Sequence, residues 1–247
     1  MGKLEPSIDV SLYKLTPEQI ASKGSGYSGD VPPLSLEQLQ KEFDTFEKID
    51  RTNHHHEEAL LELFPKYLLD TCNKIDWELF MSMSRYDKGR NLFVVGCFDN
   101  QPLELKLISY KWRKLDGIKW KTRAGTHPNG TPFIRIFSDG GTVYVIEGHR
   151  DMLSAILLGL DFVMVPYSGF RLKDPTAMQK EVASRDVVFI VEDEKAYKCM
   201  VHTAEALKET AHSIRLISLS ENKEKVDLSS LTFLKNSIRE VADELQD

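Results

Sequence analysis

The sequence has little cysteine: three residues in 247, Cys72, Cys97 and Cys199, far apart and without a C-x-x-C pair. That excludes a cysteine-rich zinc ribbon and a disulfide framework. It suits a reducing compartment, so a cytoplasmic protein is expected, with each thiol a small buried hydrophobe. No apolar run approaches the roughly 18 residues that cross a bilayer, so no membrane partner is expected. The opening MGKLEPSIDV lacks the apolar segment of a secretory signal. No G-x-x-x-x-G-K-[ST] phosphate loop occurs, which excludes a motor of that type. Positive charge is not in excess either: 32 Lys and Arg stand against 38 Asp and Glu, a net charge of -6. A uniformly basic nucleic-acid coat is excluded.

What is present is 41% hydrophobic and 28% charged, enough for a packed core in one large domain or two small ones. The charge is segregated. Residues 1–70 carry 13 acids and 7 bases, whereas residues 106–135 carry eight Lys and Arg against the single acid Asp116. A concentrated basic segment in an acidic chain predicts a local anion-binding face.

Residues 1–34, rich in Ser, Gly and Pro, read as a flexible tail. Residues 35–84 read as a small acidic helical unit. Ser35 and Gln38 have capping-box spacing, and Leu36, Leu39, Phe43 and Phe46 recur at helical intervals. A second helix is expected from about His55 to Phe64, stopped by Pro65, with another after it. The consecutive His54, His55 and His56 point about 100° apart on a helix and are not taken as a metal site. Residues 85–139 read as a basic β-rich subdomain. NLFVVGCF, the turn DNQP and LELKLISYKW form a hairpin, and Asp116-Gly117 suggests a second. There Lys111, Arg113, Lys114, Lys119, Lys121 and Arg123 interleave with Tyr110, Trp112 and Trp120. Two readings stay open: a solvated strand face whose Trp residues close a core edge, or a phosphate-tracking ridge with aromatic stacking.

After Ser138-Asp139-Gly140-Gly141 the pattern changes. Apolar runs at 142–146, 162–166, 187–191 and 214–219 alternate with amphipathic segments, which predicts an α/β fold with a mainly parallel four-stranded sheet covered by helices on both faces. Residues 233–247 read as a last helix. In such a sheet, ligands collect at the carboxyl ends of the strands. Glu147 ends the first run, Gly148 permits a tight turn, and Asp151 opens the next helix. Glu192 and Glu194 leave the third run two residues apart, on one side of an extended chain. Clustered carboxylates repel one another unless a cation joins them, and oxygen ligands suit Mg²⁺ or Mn²⁺. Such a site handles phosphate. The alternative is that strand-end acids merely cap helices.

E-G-H-R-D-M-L-S-A-I-L-L-G at 147–159 resembles the glutamate motif of the Toprim domain, shared by bacterial-type primases, topoisomerases, small nucleases and recombination proteins. V-F-I-V-E-D-E-K-A-Y at 188–197 resembles its second motif, usually Asp-x-Asp followed by a residue, Ala and Gly. Glu192 and Glu194 fall on the two acids, Ala196 matches, and Tyr197 stands where Gly is common. Y-S-G-F at 167–170 and K-V-D-L-S-S-L at 225–231, with Asp227, resemble the turns after the second and fourth strands. The resemblance covers about 140–232. A basic β-rich segment directly before it resembles the catalytic core of bacterial and phage primases.

The resemblance implies a Toprim domain at 140–232 in a primase-like protein of a phage, plasmid or mobile element. It implies nucleotidyl transfer on single-stranded DNA from nucleotides, with Mg²⁺ or Mn²⁺ as cofactor. Glu192, Glu194 and Glu147 would hold the metal, Glu147 and Asp151 would serve catalysis, and the six basic residues would hold nucleic acid. The N-terminal helical unit would meet a replicative helicase or another replication protein. A Toprim nuclease and a catalytically silent nucleic-acid-binding module are the alternatives. Glutamates in place of aspartates move a metal outward by about an ångström on a fixed backbone, which favours Mn²⁺.

Overall fold

A computed structural model describes residues 34–101, 104–115, 120–124, 126, 132–138, 141–166, 174–191 and 194–218. The expected tail up to residue 33, the Asp116-Gly117 turn, the turns at 167–170 and around Asp227, and the last helix lie outside the described residues.

Helix α1 (Leu36–Asp44) starts where the capping box predicts. The Ser35 hydroxyl accepts from the Gln38 N–H at 3.2 Å, and the Gln38 side chain accepts from the Ser35 N–H at 3.0 Å. A short strand β1 (Glu47–Lys48) follows, then α2 (His54–Leu61), α3 (Lys66–Thr71) and α4 (Lys74–Met83). Helix α2 stops short of Phe64. The Leu63 and Phe64 amides both return to the Leu60 carbonyl, and this closing turn puts both side chains in the core. The three histidines diverge as their spacing predicts. His54 and His55 are exposed beside Glu58, while His56 is buried. His56 Nδ1 accepts from the Asp50 N–H, so its Nε2 carries the proton toward Glu47, 3.0 Å away.

The first sheet is antiparallel, in the order β1-β2-β3-β4-β5, with β2 at Ser84–Asp87, β3 at Leu92–Gln101, β4 at Glu104–Lys114 and β5 at Lys121–Thr122. The predicted hairpin is its centre, but Asp99, Asn100 and Gln101, expected in its turn, belong to β3 and pair with Lys106, Leu105 and Glu104. A bulge between Cys97 and Phe98 shifts the β3–β4 register. It brings the Phe98 ring back over Gly96, where a β-carbon would collide with it.

The second sheet runs β10-β9-β7-β8-β6. Strands β7 (Thr142–Glu147), β8 (Phe162–Val165), β9 (Asp186–Val191) and β10 (Ser213–Ser218) are mutually parallel, close to the four predicted runs. The edge strand β6 (Phe133–Arg135) pairs antiparallel with β8 and comes from chain ahead of residue 140. The connecting helices are α5 (Gly148–Leu157), α6 (Thr176–Val182) and α7 (Glu194–Leu207).

Alternation along the strands builds three cores. Val143, Val145, Val163, Val187, Phe189 and Val191 face α6 and α7. Tyr144, Ile146, Phe162, Val188 and Ile190 face the other way, onto α5, the α2–α4 unit and one face of the antiparallel sheet through Phe93 and Val95. The opposite face of that sheet, through Leu92, Val94 and Tyr110, packs on Leu39, Phe43 and Phe46. The parallel sheet is thus covered on both faces. One continuous core also joins residues from the helical unit, the basic segment and the parallel sheet.

Candidate active site at the rim of the parallel sheet

Strands β7 and β9 are each six residues long and pair in step from Thr142↔Asp186 to Val145↔Phe189, so their carboxyl ends lie side by side. Glu147 is the last residue of β7, half-buried, and occupies the N-cap position of α5. Its carboxylate makes no capping hydrogen bond. The helix-cap alternative therefore accounts for the position of Glu147 but not for its side chain. Gly148 follows with φ +84, the left-handed conformation that favours glycine, so the chain turns from strand to helix within one residue. Helix α5 opens at Gly148, earlier than expected, and the buried Asp151 is its fourth residue rather than its first. Val191 ends β9 and leads into Glu192 and Asp193, which lie outside the described residues. Glu194 is the first residue of α7.

Glu147 and Val191, the residue before Glu192 in the chain, thus stand at adjoining strand ends. Among the described residues no group of three His, Cys, Asp or Glu side chains converges on one point, and only part of this set is described. The oxygen-only donor set fits a hard divalent cation and does not fit zinc.

The described basic residues of β4 do not share one face, because the strand alternates them. Lys111 and Arg113 pair with Val95 and Phe93, and so face the parallel-sheet side. Trp112 and Lys114 pair with Val94 and Leu92, and so face α1. Lys121 joins the second group: its register partner is Trp112, and its ammonium lies 5.0 Å from the Trp112 ring. Lys114 and Lys121 are exposed. The Arg113 guanidinium lies 5.9 Å from the Trp120 ring, which packs against the central core. Both Trp residues therefore pack against core edges. Lys119 lies outside the described residues.

Two arginines of the basic segment are committed inside the protein. Arg123 Nε reaches both Glu42 oxygens at 2.9 and 3.0 Å, and the Tyr110 hydroxyl donates to the same carboxylate at 2.7 Å. Burial raises the Glu42 pKa, but these hydrogen bonds and the Arg123 charge outweigh it and hold the carboxyl below its ordinary value. Arg123 thus binds α1 to the sheet. Arg135, the last residue of the basic run, is buried in an ion pair with Asp76 of α4 and donates to the Leu160 carbonyl at 2.6 Å.

Lys111 crosses from one sheet to the rim of the other. Its Nζ is 3.5 Å from the Pro166 carbonyl. Pro166 follows Val165, the register partner of Glu147. Burial lowers the pKa of the ammonium, against the charges of Cys97 and Glu147. His149, two residues after Glu147, is buried, and its Nδ1 has no hydrogen-bond partner. Burial and then the Lys111 charge hold it well below its ordinary pKa, so it is neutral. Arg150 donates to the Leu63 carbonyl at 3.2 Å and ties α5 to the helical unit. Sequence reasoning passed over His149 and Arg150. Their only signal was membership of the strand–glycine–helix turn that carries Glu147.

No family profile matches the chain. A DNA primase of Clostridium acetobutylicum is 25% identical over 148 residues, which span 56% of this chain and 24% of that protein. The match therefore covers about a quarter of the relative's length. Among solved structures, a DnaG primase catalytic domain bound to ssDNA superposes with a TM-score of 0.57 at 12% identity, over 85% of this chain and 78% of that one. A DnaG catalytic core gives 0.53 at 13% identity over 85% and 80%. The zinc-binding and RNA polymerase domains of the Aquifex aeolicus primase give 0.52 at 13% over 92% and 65%. With its antiparallel sheet set before a parallel sheet whose rim carries Glu147, the chain has the fold of DnaG primase catalytic cores.

Proposed function

We propose that this protein is a primase-like nucleotidyltransferase, with residues 140–232 as a Toprim domain and single-stranded DNA and nucleotides as its substrates. The observation that carries this reading is the rim itself. Glu147 ends β7 without capping α5, beside the strand that leads into Glu192-x-Glu194, in a fold shared with a DnaG domain solved on ssDNA. The reaction joins a 3′-hydroxyl oxygen to the α-phosphorus of a nucleoside triphosphate and breaks that phosphorus's bond to the bridging oxygen. The hydroxyl proton leaves, and pyrophosphate departs with the bond electrons. Glu147 accepts that proton or joins Glu192 and Glu194 as a metal ligand, with Asp151 behind it in α5. A bound Mg²⁺ or Mn²⁺ would neutralise charge on the transferred phosphate. Lys111 and Arg113, on the face toward the parallel sheet, and the exposed Lys114 and Lys121, together with Lys119, offer charge to the nucleic-acid backbone, whereas Arg123 serves the fold. Residues 35–84 offer an acidic surface to a replication partner such as a helicase, in a phage, plasmid or mobile-element setting.

The test is incubation of the protein with labelled single-stranded DNA, all nucleotides and Mg²⁺ or Mn²⁺. Extension products are expected, with more from Mn²⁺, and Glu147→Gln, Glu192→Gln or Glu194→Gln should each abolish most turnover while leaving DNA binding nearly intact. Lys114→Ala and Lys121→Ala should each reduce the salt slope of DNA binding by about 0.7. Shortened DNA would identify a nuclease, and a mobility shift without either product a silent binding module.

A further inference from the structure

We infer that the β9–β10 half of the parallel sheet, on the side that carries α5, is the docking site of the chain's own C-terminal segment: Leu234, Ile238, Val241 and Leu245 seat on this face, and Glu244 pairs with Arg215. The inference goes beyond the rim chemistry and does not depend on it.

Register defines the face. Side chains alternate along β10, so Ile214 and Leu216 pack toward α6 and α7, and Arg215 and Ile217 point to the other side. Their partners on β9 are Val188 for Arg215 and Ile190 for Ile217. Val188, Ile190 and Ile217 are all buried, on the two outermost strands at this end of the sheet. The described elements on the same side gather at the opposite end: α5 lies on β7 and β8, α3 and α4 pack on α5, and β3 approaches β6. An apolar half-face of a parallel sheet needs a cover of its own. Arg215 adds that the cover carries negative charge. Its Nε and Nη1 are buried and have no hydrogen-bond partner, and a buried guanidinium needs a counter-charge.

The chain supplies both. Strand β10 ends at Ser218 on the sheet edge, and residues 219–247, outside the described residues, follow it directly. Within them Leu234, Ile238, Val241 and Leu245 recur at helical spacing, as one apolar stripe. At 3.6 residues per turn Glu244 borders that stripe, three residues on from Val241, whereas Asp243 falls on the far side of the helix. A segment that follows the edge strand folds back over β10 and β9 without crossing another connection. It covers β9, the strand that leads into Glu192, on the side that α7 leaves open.

The experiment is limited chymotryptic digestion of the full chain, with cleavage after Phe233 followed by mass spectrometry and particle mass by light scattering. Cleavage of a docked segment tracks the fraction that is undocked. Ile238→Asp and Glu244→Arg lie within the segment and leave β10 untouched. Each should speed cleavage about tenfold or more, as should Arg215→Glu, in a particle of one chain's mass. The swap Arg215→Glu/Glu244→Arg restores opposite charges and should bring the rate back to within about threefold of wild type. Circular dichroism verifies that each variant is folded. If Ile238→Asp and Glu244→Arg leave the rate unchanged, the segment does not dock and the inference falls. If they speed cleavage but the swap restores nothing, the segment docks elsewhere than on Arg215, and this site is wrong. Protection in a particle of two chains' mass that fades on dilution would make a second copy the occupant and overturn the intramolecular seat.

Discussion

Cutting the Asp76–Arg135 ion pair from one side tests how the helical unit is held to the parallel sheet. The two side chains are only 4% and 5% exposed. Asp76 also anchors the start of α4, where its N–H donates to Asn73 at 2.9 Å and its carboxylate accepts from the Asn73 amide at 2.6 Å. Arg135 donates to the Leu160 carbonyl and lies 4.5 Å above the Phe137 ring. Asp76→Ala leaves a buried guanidinium without its counter-charge, and Arg135→Met leaves a buried carboxylate. Either change costs about 3–5 kcal/mol. A domain of this size holds roughly 5–15 kcal/mol in total, so about a fifth or more of its stability is at stake. At about 2–4 °C per kcal/mol, a loss of about 4 kcal/mol lowers Tm by roughly 8–16 °C. The double variant Asp76→Ala/Arg135→Met removes both charges and should lose clearly less than the sum of the single changes. Urea denaturation at pH 7 of all four proteins measures this. Single losses under about 1 kcal/mol, or strict additivity in the double variant, would refute the claim that this pair is a desolvated, coupled unit.

Gly148→Ala should cost about 1–2 kcal/mol, because its φ of +84 is strained for any residue with a β-carbon, while the open space around it adds no clash. An unchanged urea midpoint would show that the strand-to-helix turn relaxes freely. The depressed Glu42 pKa makes a pH prediction. The folded state holds this proton less tightly than the unfolded chain, whose ordinary value is 4.5. The contribution is complete above that value and is lost as pH falls through the lower folded pKa. Stability curves between pH 3 and 7 should therefore lose acid sensitivity in Glu42→Gln, and the same slope in wild type and variant would contradict the Arg123–Glu42–Tyr110 assignment.

The sequence by itself determined the four strands of the parallel sheet and the hairpin of the other, but not the edge strand β6. Near-continuous apolar runs of Val, Ile and Phe between amphipathic segments leave few alternatives to strands covered on both faces, and the Ser35–Gln38 spacing marks a helix start through local hydrogen bonds alone. It also determined the Glu147-Gly148 turn, because a left-handed residue directly after a strand favours glycine. These are local properties, written within a few residues of where they act. The fate of each basic side chain was not local. Composition shows eight cations between Lys106 and Arg135 and says nothing of the acids that meet them. Glu42 meets Arg123 from 81 residues away, and Asp76 meets Arg135 from 59. Alternation along β4 could have divided Lys111 from Lys114 in advance, but which face looks toward the second sheet was decided only by packing. Tertiary structure likewise brought Lys111 to the rim, because a strand of one sheet reaches the carboxyl end of another only when a shared core fixes how the two sheets stack.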